Sequence, residues 1–183
     1  MGNRGCLHDA RQRIRRPFAV KRWIICVLQF KGRRRTVMSP GRYTELFFLD
    51  EATALAAGHR PCAECQRERY LLFRRHWAAA TAGRGEPPAD AMDDVLHAER
   101  LDAGRGKRTY TERLSRLPSG VVVADGTDAY LVRAGAMMTW SPEGYRPARP
   151  GSIPAQVRVL TPPSIVEAIA RGYPVDVHAS ALG

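Results

Sequence analysis

Residues 58–80 read GHRPCAECQRERYLLFRRHWAAA and combine a close cysteine pair with a helical pattern. Pro61 suits the first position of a helix, which predicts that a helix begins there and continues to the end of this segment. Tyr70, Phe73 and Trp77 fall at positions i, i+3 and i+7. Since such residues lie on one side of a helix, we expect this stripe to face a hydrophobic core.

The residues before this segment predict a short helix preceded by extended chain. Asp50 suits a helix N-cap, EATALAA (51–57) suits the helix itself, and Gly58 suits the position after its end. Runs of aromatic and β-branched residues between turn signals predict strands at Arg22–Phe30, Thr36–Met38 and Tyr43–Leu49.

The later part of the chain has the pattern of a β-rich unit. Strands are predicted within 117–132 around an Asp-Gly turn, at 137–140 and at 157–160. Thr161 suits the N-cap of a last helix, which Pro162 opens and Gly172 closes. The expected class is α+β, with a basic zinc-binding subdomain over 1–80, a linker over 81–91, and a β-rich C-terminal subdomain over 92–183.

Positive charge is concentrated at one end of the chain. The formal net charge is +11. Residues 1–76 hold 17 Lys or Arg and 6 Asp or Glu, whereas residues 77–183 hold 12 of each. Such asymmetry favours a polyanionic partner for the first part, and we expect nucleic acid there, with DNA favoured over RNA. The alternatives are an acidic protein or a membrane surface as the partner, or a solvated basic surface without a ligand.

The four cysteines all lie in the basic part of the chain, at Cys6, Cys26, Cys62 and Cys65. No secretory signal is recognisable, so a Cys-x-x-Cys spacing indicates a metal or redox site before a structural disulfide. Tetrahedral zinc needs two ligands besides the close pair. We predict Cys6 and Cys26, with Cys6 ranked first because Cys26 lies in an apolar strand. His8 is the substitute ligand.

The segment from Phe47 to Ala52 and the segment from Ala56 to Cys65 together resemble the metal-binding domain of the Ada family, which senses and repairs methyl phosphotriesters in DNA. The specific part is Gly-x-Arg-Pro-Cys-x-x-Cys at 58–65. The resemblance implies a zinc–thiolate site to which Cys62 and Cys65 contribute two of four ligands.

This chain departs from that family in three places. The family's second, close-spaced cysteine pair should fall near Val37–Pro40, where no cysteine occurs. That pair includes the methyl-accepting thiolate, so the resemblance does not imply repair activity. His59 replaces the family's aromatic residue, and nothing after residue 80 is similar to the family's other domains.

Arginines interleaved with aromatic residues predict phosphate contacts in the basic part. We expect the core of this surface to be the run at 33–35 together with Arg13, Arg15 and Arg16. The full predicted set is Arg13, Arg15, Arg16, Arg22, Arg33, Arg34, Arg35 and Arg42.

Two further classes of function remain open at this level. An enzyme would be either a zinc–thiolate methyl acceptor or a nuclease using His76 or His97, although no recognisable nuclease motif is present. A protein–protein adaptor would use the basic face or the C-terminal part. No apolar run approaches the ~20 residues of a membrane helix, so we expect no membrane partner and a cytoplasmic location.

Overall fold

The computed structural model describes residues 1–32, 36–80, 85–148 and 154–182, and its class is α+β as predicted. Four helices and nine strands occur within these residues. The helices are α1 Glu51–Ala56, α2 Arg67–Ala80, α3 Ala89–Arg100 and α4 Pro163–Ala170. The strands are β1 Gly2–Asn3, β2 Ile24–Ile25, β3 Arg60–Pro61, β4 Tyr110–Arg113, β5 Val122–Asp125, β6 Asp128–Arg133, β7 Ala136–Ser141, β8 Gly144–Pro147 and β9 Gln156–Val159.

Strands β4 to β9 form an antiparallel sheet in the order β4-β9-β5-β6-β7-β8. The predicted Asp-Gly turn joins β5 to β6, where Asp125 pairs with Asp128 and Gly126 has a φ of 57°. Glycine adopts a positive φ at little cost because it has no Cβ atom, and this suits it to the turn. The predicted later strands correspond to β7 and β9.

Strands β1, β2 and β3 form a second, small sheet in which β2 is central. Strand β1 is antiparallel to β2, and β3 is parallel to it, with Ile24 opposite Arg60 and Ile25 opposite Pro61. This parallel pair joins two segments 36 positions apart in the sequence, and it positions the cysteines described below.

One hydrophobic cluster contains buried residues from both predicted subdomains. Phe73 and Trp77 of α2 belong to it together with Val123 of β5 and Ile165 of α4. The predicted stripe on α2 is therefore a core face. Residues 81–84 of the predicted linker lie outside the described residues, and its last three residues are the first turn of α3.

Helix α1 begins as predicted. The Asp50 carboxylate accepts a hydrogen bond from the Thr53 amide at 2.9 Å, and the Thr53 side chain bonds back to Asp50, which completes a capping box. Gly58 follows the helix with a φ of 84°.

Three sequence predictions differ from the structure. Helix α2 begins at Arg67 and not at Pro61, because Pro61 is held extended in β3. Thr161 does not cap α4, because its hydroxyl instead accepts a hydrogen bond from the Val122 amide at 3.0 Å. Among the described residues, the region 22–49 has only the two strand residues of β2 and an isolated bridge at Leu46.

Within the described ranges, no helix is both long and apolar enough to cross a membrane.

Candidate metal centre

Three cysteines come together at one edge of the small sheet. The Sγ atoms of Cys26, Cys62 and Cys65 all lie within 4.8 Å of one another. Thiolates that share a tetrahedral metal ion must be this close, since each metal–sulfur bond is only about 2.3 Å long. We call these residues the cysteine trio.

Parallel pairing of β2 with β3 places the trio. Cys26 directly follows β2 and Cys62 directly follows β3, so the two residues emerge at the same edge. The Cys62 amide donates to the Ile25 carbonyl at 2.9 Å, which continues the pairing up to the site. Cys65 lies in the turn before α2, three residues further on, where its thiol can return to the same point.

Side-chain and backbone bonds hold this geometry. The Glu64 amide donates to Cys62 Sγ at 3.4 Å, and the Gln66 side chain donates to the Ile25 carbonyl at 3.0 Å. The Cys26 amide donates to the Met1 carbonyl at 2.7 Å. Both cysteine-bearing segments are therefore fixed by the backbone before any metal binds.

Hydrogen bonds and burial shift the pKa values of the three thiols in different directions. A hydrogen bond from Cys26 is the main cause that lowers the pKa of Cys62, and the Cys65 and Glu64 amides lower it further against the effect of burial. The same hydrogen bond and burial raise the pKa of Cys26, and burial raises that of Cys65. Cys62 is thus the first to become a thiolate, and a bound cation would replace the protons that the trio shares.

A cavity of about 290 Å³ touches all three cysteines. Its wall includes apolar side chains that are open to solvent, notably Leu28 at 73% exposure and Phe47 at 64%. Three protein thiolates leave one position of a tetrahedral metal free. An external ligand could reach that position through the cavity.

Cys6 and His8 do not belong to this group. The Cys6 thiol lies 3.6 Å from the His8 carbonyl. The ring of His8 is buried, with Nδ1 2.6 Å from the Thr44 hydroxyl and Nε2 3.3 Å from the Ser39 carbonyl. The ranking of Cys6 above Cys26 therefore does not match the grouping, because strand pairing brings Cys26 to the close pair.

The predicted arginines take different positions. Side chains of Arg13 and Arg15 pair with Asp9 at 3.2 and 2.7 Å. The Arg13 amide and the Arg15 side chain help to lower the pKa of Asp9 to about 2. Arg16, Arg22 and Arg42 are exposed. The run Arg33, Arg34 and Arg35 lies outside the described residues.

In the described part of the chain, neither of the two histidines considered for nuclease chemistry belongs to a group of side chains that could hold a metal ion. His76 Nδ1 is 2.9 Å from the Arg171 carbonyl. His97 Nδ1 is 3.1 Å from the Arg100 guanidinium, and burial lowers the pKa of His97.

Comparisons of the chain with protein-family models, curated proteins and solved structures find no significant match. The site is therefore interpreted from its own geometry. The cavity wall was not predicted, because no sequence pattern distinguishes an exposed Leu28 or Phe47 from a core residue.

Proposed function

We propose that this chain binds one Zn²⁺ through Cys26, Cys62 and Cys65 and contacts nucleic acid, preferably DNA, through its basic N-terminal part. The observation that carries the zinc assignment is the convergence of three thiols within 4.8 Å on a fixed backbone. Thiolate ligands favour soft or borderline ions, and zinc accepts them without redox chemistry.

Zinc would stabilise the small sheet. Strands β2 and β3 have two residues each, fewer than an independent strand pair needs. An ion bound to Cys26 and Cys65 would join the end of β2 to the turn that starts α2. The metal would thereby connect the N-terminal segments to the hydrophobic core.

Zinc content tests the assignment directly. Untagged parent protein should contain one zinc per chain by elemental analysis. Cys26→Ser and Cys62→Ser should lose it, because a hydroxyl is a poor zinc ligand. Cys6→Ser is the matched control, since it removes the one cysteine outside the trio, and it should retain zinc. The proposal would be contradicted if the parent contained no zinc, or if zinc were lost from Cys6→Ser and not from the trio variants.

The nucleic-acid assignment is supported by the charge partition and by exposed arginines. Replacing Arg16, Arg22 and Arg42 together by Ala should weaken binding to any DNA sequence and reduce the log–log salt slope by up to about 3 units. The matched control replaces Arg113, Arg146 and Arg158, which are exposed in the neutral part of the chain. Equal slopes for the two triple variants would refute the assignment to the N-terminal part.

The cavity at the trio favours one second candidate, a zinc–thiolate methyl acceptor. In that reaction a thiolate of the trio attacks the methyl carbon of a methyl phosphotriester. A sulfur–carbon bond forms, the carbon–oxygen bond breaks, and the phosphodiester leaves with the electron pair. Incubation with methylated DNA would then add one methyl group irreversibly to a trio cysteine, as detected by mass spectrometry. Unchanged mass would exclude this candidate.

A further inference from the structure

Two arginines pack their guanidinium groups against the buried Trp23, the residue before β2, and a third cation, Lys107, lies within electrostatic reach of both. The Arg4 guanidinium carbon lies 4.5 Å from the Trp23 ring centroid, and that of Arg100 lies 3.9 Å from it. The Lys107 ammonium donates a short hydrogen bond to the Ala56 carbonyl. We call Arg4, Arg100 and Lys107 the cation cluster.

Arg100 is fixed at the base of this cluster. It is 1% exposed, and its Nη1 donates to the Gly58 carbonyl at 2.9 Å. Its Nη2 donates to the Lys21 carbonyl. These acceptors are neutral, and the Nε atoms of both Arg100 and Arg4 are buried without a hydrogen-bond partner.

No carboxylate among the described residues forms an ion pair with the cation cluster. The acids near Arg100 in the sequence have other partners. Asp93 pairs with Arg60 and Asp94 with Lys21, each at 2.7 Å. Glu99 accepts hydrogen bonds from Ser164, and Asp102 accepts one from the Gly106 amide. The residues outside the described ranges contain no Asp or Glu. Asp93 attracts Arg100 without bonding to it, so the three positive charges of the cluster have no carboxylate in direct contact.

The protein environment opposes these charges. Burial lowers the pKa of Arg100 to about 9, against the attraction of Asp93, and the charge of Arg4 lowers it further. Burial lowers the pKa of Lys107 to about 8, and the charges of Arg100 and Arg4 lower it further. Burial also lowers the pKa of Arg4. Uncompensated charge away from water is unfavourable, and a bound anion would relieve it.

We propose that the cation cluster is a binding site for a phosphate group. Arg4 is partly exposed, and Lys107 is exposed as a whole residue although its ammonium group is partly shielded from water. These two residues would touch the phosphate, while the buried Arg100 adds charge from beneath. A guanidinium matches two phosphate oxygens at once, and an ammonium adds a point charge.

The phosphate can come from two sources, a nucleic-acid backbone or a free phosphate ion. If the phosphate belongs to a nucleic-acid backbone, the inference rests on the proposed function, and the cation cluster is where one phosphate of the nucleic acid binds. Aromatic and basic groups flank it: Phe18 packs edge-on against His97 at 5.1 Å and beneath the Arg105 guanidinium at 5.7 Å. A polynucleotide would find further contacts there.

Phosphate titration of the full chain tests the site. Isothermal titration calorimetry with inorganic phosphate, at constant ionic strength set by chloride, should detect binding to the parent. Arg4→Gln and Lys107→Met should each weaken that binding about tenfold or more, because each removes a charged hydrogen-bond donor. Arg146→Gln, which changes an exposed arginine outside both the cluster and the predicted nucleic-acid surface, should bind phosphate like the parent.

Thermal unfolding without phosphate gives a second measurement. Arg4→Gln should unfold at or above the parent's Tm in chloride, because it removes one of three repelling charges. Phosphate should then raise the Tm of the parent more than that of the variant. A parent that does not bind phosphate, or an Arg4→Gln variant that binds it equally well, would overturn the proposal.

A single-stranded DNA oligonucleotide distinguishes the two sources. Competition between the oligonucleotide and phosphate, with weaker oligonucleotide binding by Arg4→Gln, supports a backbone site. Phosphate binding that the oligonucleotide does not compete with supports a site for free phosphate. The salt titration of the arginine variants then tests the nucleic-acid assignment separately. Oligonucleotide binding that Arg4→Gln leaves unchanged, with no phosphate binding, overturns the site and leaves the proposed function intact.

Discussion

Removing the Arg60 guanidinium should destabilise the protein far more than removing an equally close surface cation. Arg60 donates two hydrogen bonds to Asp93, at 2.9 and 2.7 Å, and the two side chains are 1% and 4% exposed. Lys21 pairs with Asp94, the next residue of α3, also at 2.7 Å, but these side chains are 61% and 63% exposed. The two pairs share one helix and one contact distance and differ in burial.

The expected magnitudes follow from that difference. Arg60→Met leaves a buried carboxylate without its partner, which costs about 3–5 kcal/mol, whereas breaking an exposed pair costs about 0–1 kcal/mol. With a urea m-value of about 2 kcal/mol/M, the midpoint should fall by about 1.5–2.5 M for Arg60→Met and by less than about 0.5 M for Lys21→Met. Urea unfolding of zinc-loaded proteins at neutral pH measures both shifts.

A second substitution tests the reasoning further. Burial raises the pKa of Asp93 even with Arg60 beside it, so the attraction of Arg60 does not fully offset the loss of hydration. Adding Asp93→Leu to Arg60→Met should therefore recover at least half of the lost stability. Acidification should also narrow the gap between Arg60→Met and the parent, because protonation removes the unpaired charge. Equal shifts for Arg60→Met and Lys21→Met, or a double variant less stable than Arg60→Met, would refute the argument.

Two more predictions concern the surroundings of the cation cluster. Gly58→Ala should lower the Tm more than Gly126→Ala: both glycines have positive φ, but a Cβ at Gly58 would lie 2.6 Å from Arg100 Cδ, whereas one at Gly126 meets no atom within 4 Å. If Gly58→Ala lowered the Tm no more than Gly126→Ala does, the close approach of Arg100 to Gly58 would not restrict this position. The contribution of Lys107 to stability should rise with pH between about 8 and 10.5, because its pKa is about 8 in the folded protein and 10.5 in the unfolded chain. Across this window, the unfolding free energy of the parent should increase with pH relative to that of Lys107→Met. Parallel curves for the two proteins would argue against this contribution.

Local signals predicted the elements that local interactions form. The capping box of α1 needs only Asp50 and Thr53, three residues apart, and the β5–β6 turn needs only the Asp-Gly dipeptide at 125–126. The start of α2 was misplaced because Pro61 suits both a first helical turn and the end of a strand. Pairing with a segment 36 positions upstream decided between them.

Non-local pairing also explains why the candidate metal site was only partly predictable. The Cys62–Cys65 spacing is a local pattern, so the sequence indicated that pair directly. The third member depends on which distant segment lies beside β3, and the apolar run around Cys26 gave no sign of it. Arg100 shows the same limit, since only the tertiary contacts with Gly58 and Trp23 distinguish it from an ordinary helix-end arginine.

Strand β2 connects the two proposed sites. Trp23 precedes this strand and packs against Arg4 and Arg100 of the cation cluster, while Cys26 follows it and belongs to the cysteine trio. In these proposals the trio binds a cation and the cluster binds an anion, yet only the two residues of β2 separate Trp23 from Cys26. Because so short a strand is weak alone, ligands at both ends would stabilise the same backbone segment, and the Arg60–Asp93 ion pair would secure its neighbour β3 to α3. The proposed metal binding and phosphate binding would therefore act, together with the buried ion pair, on one structural unit, the parallel pair of β2 and β3.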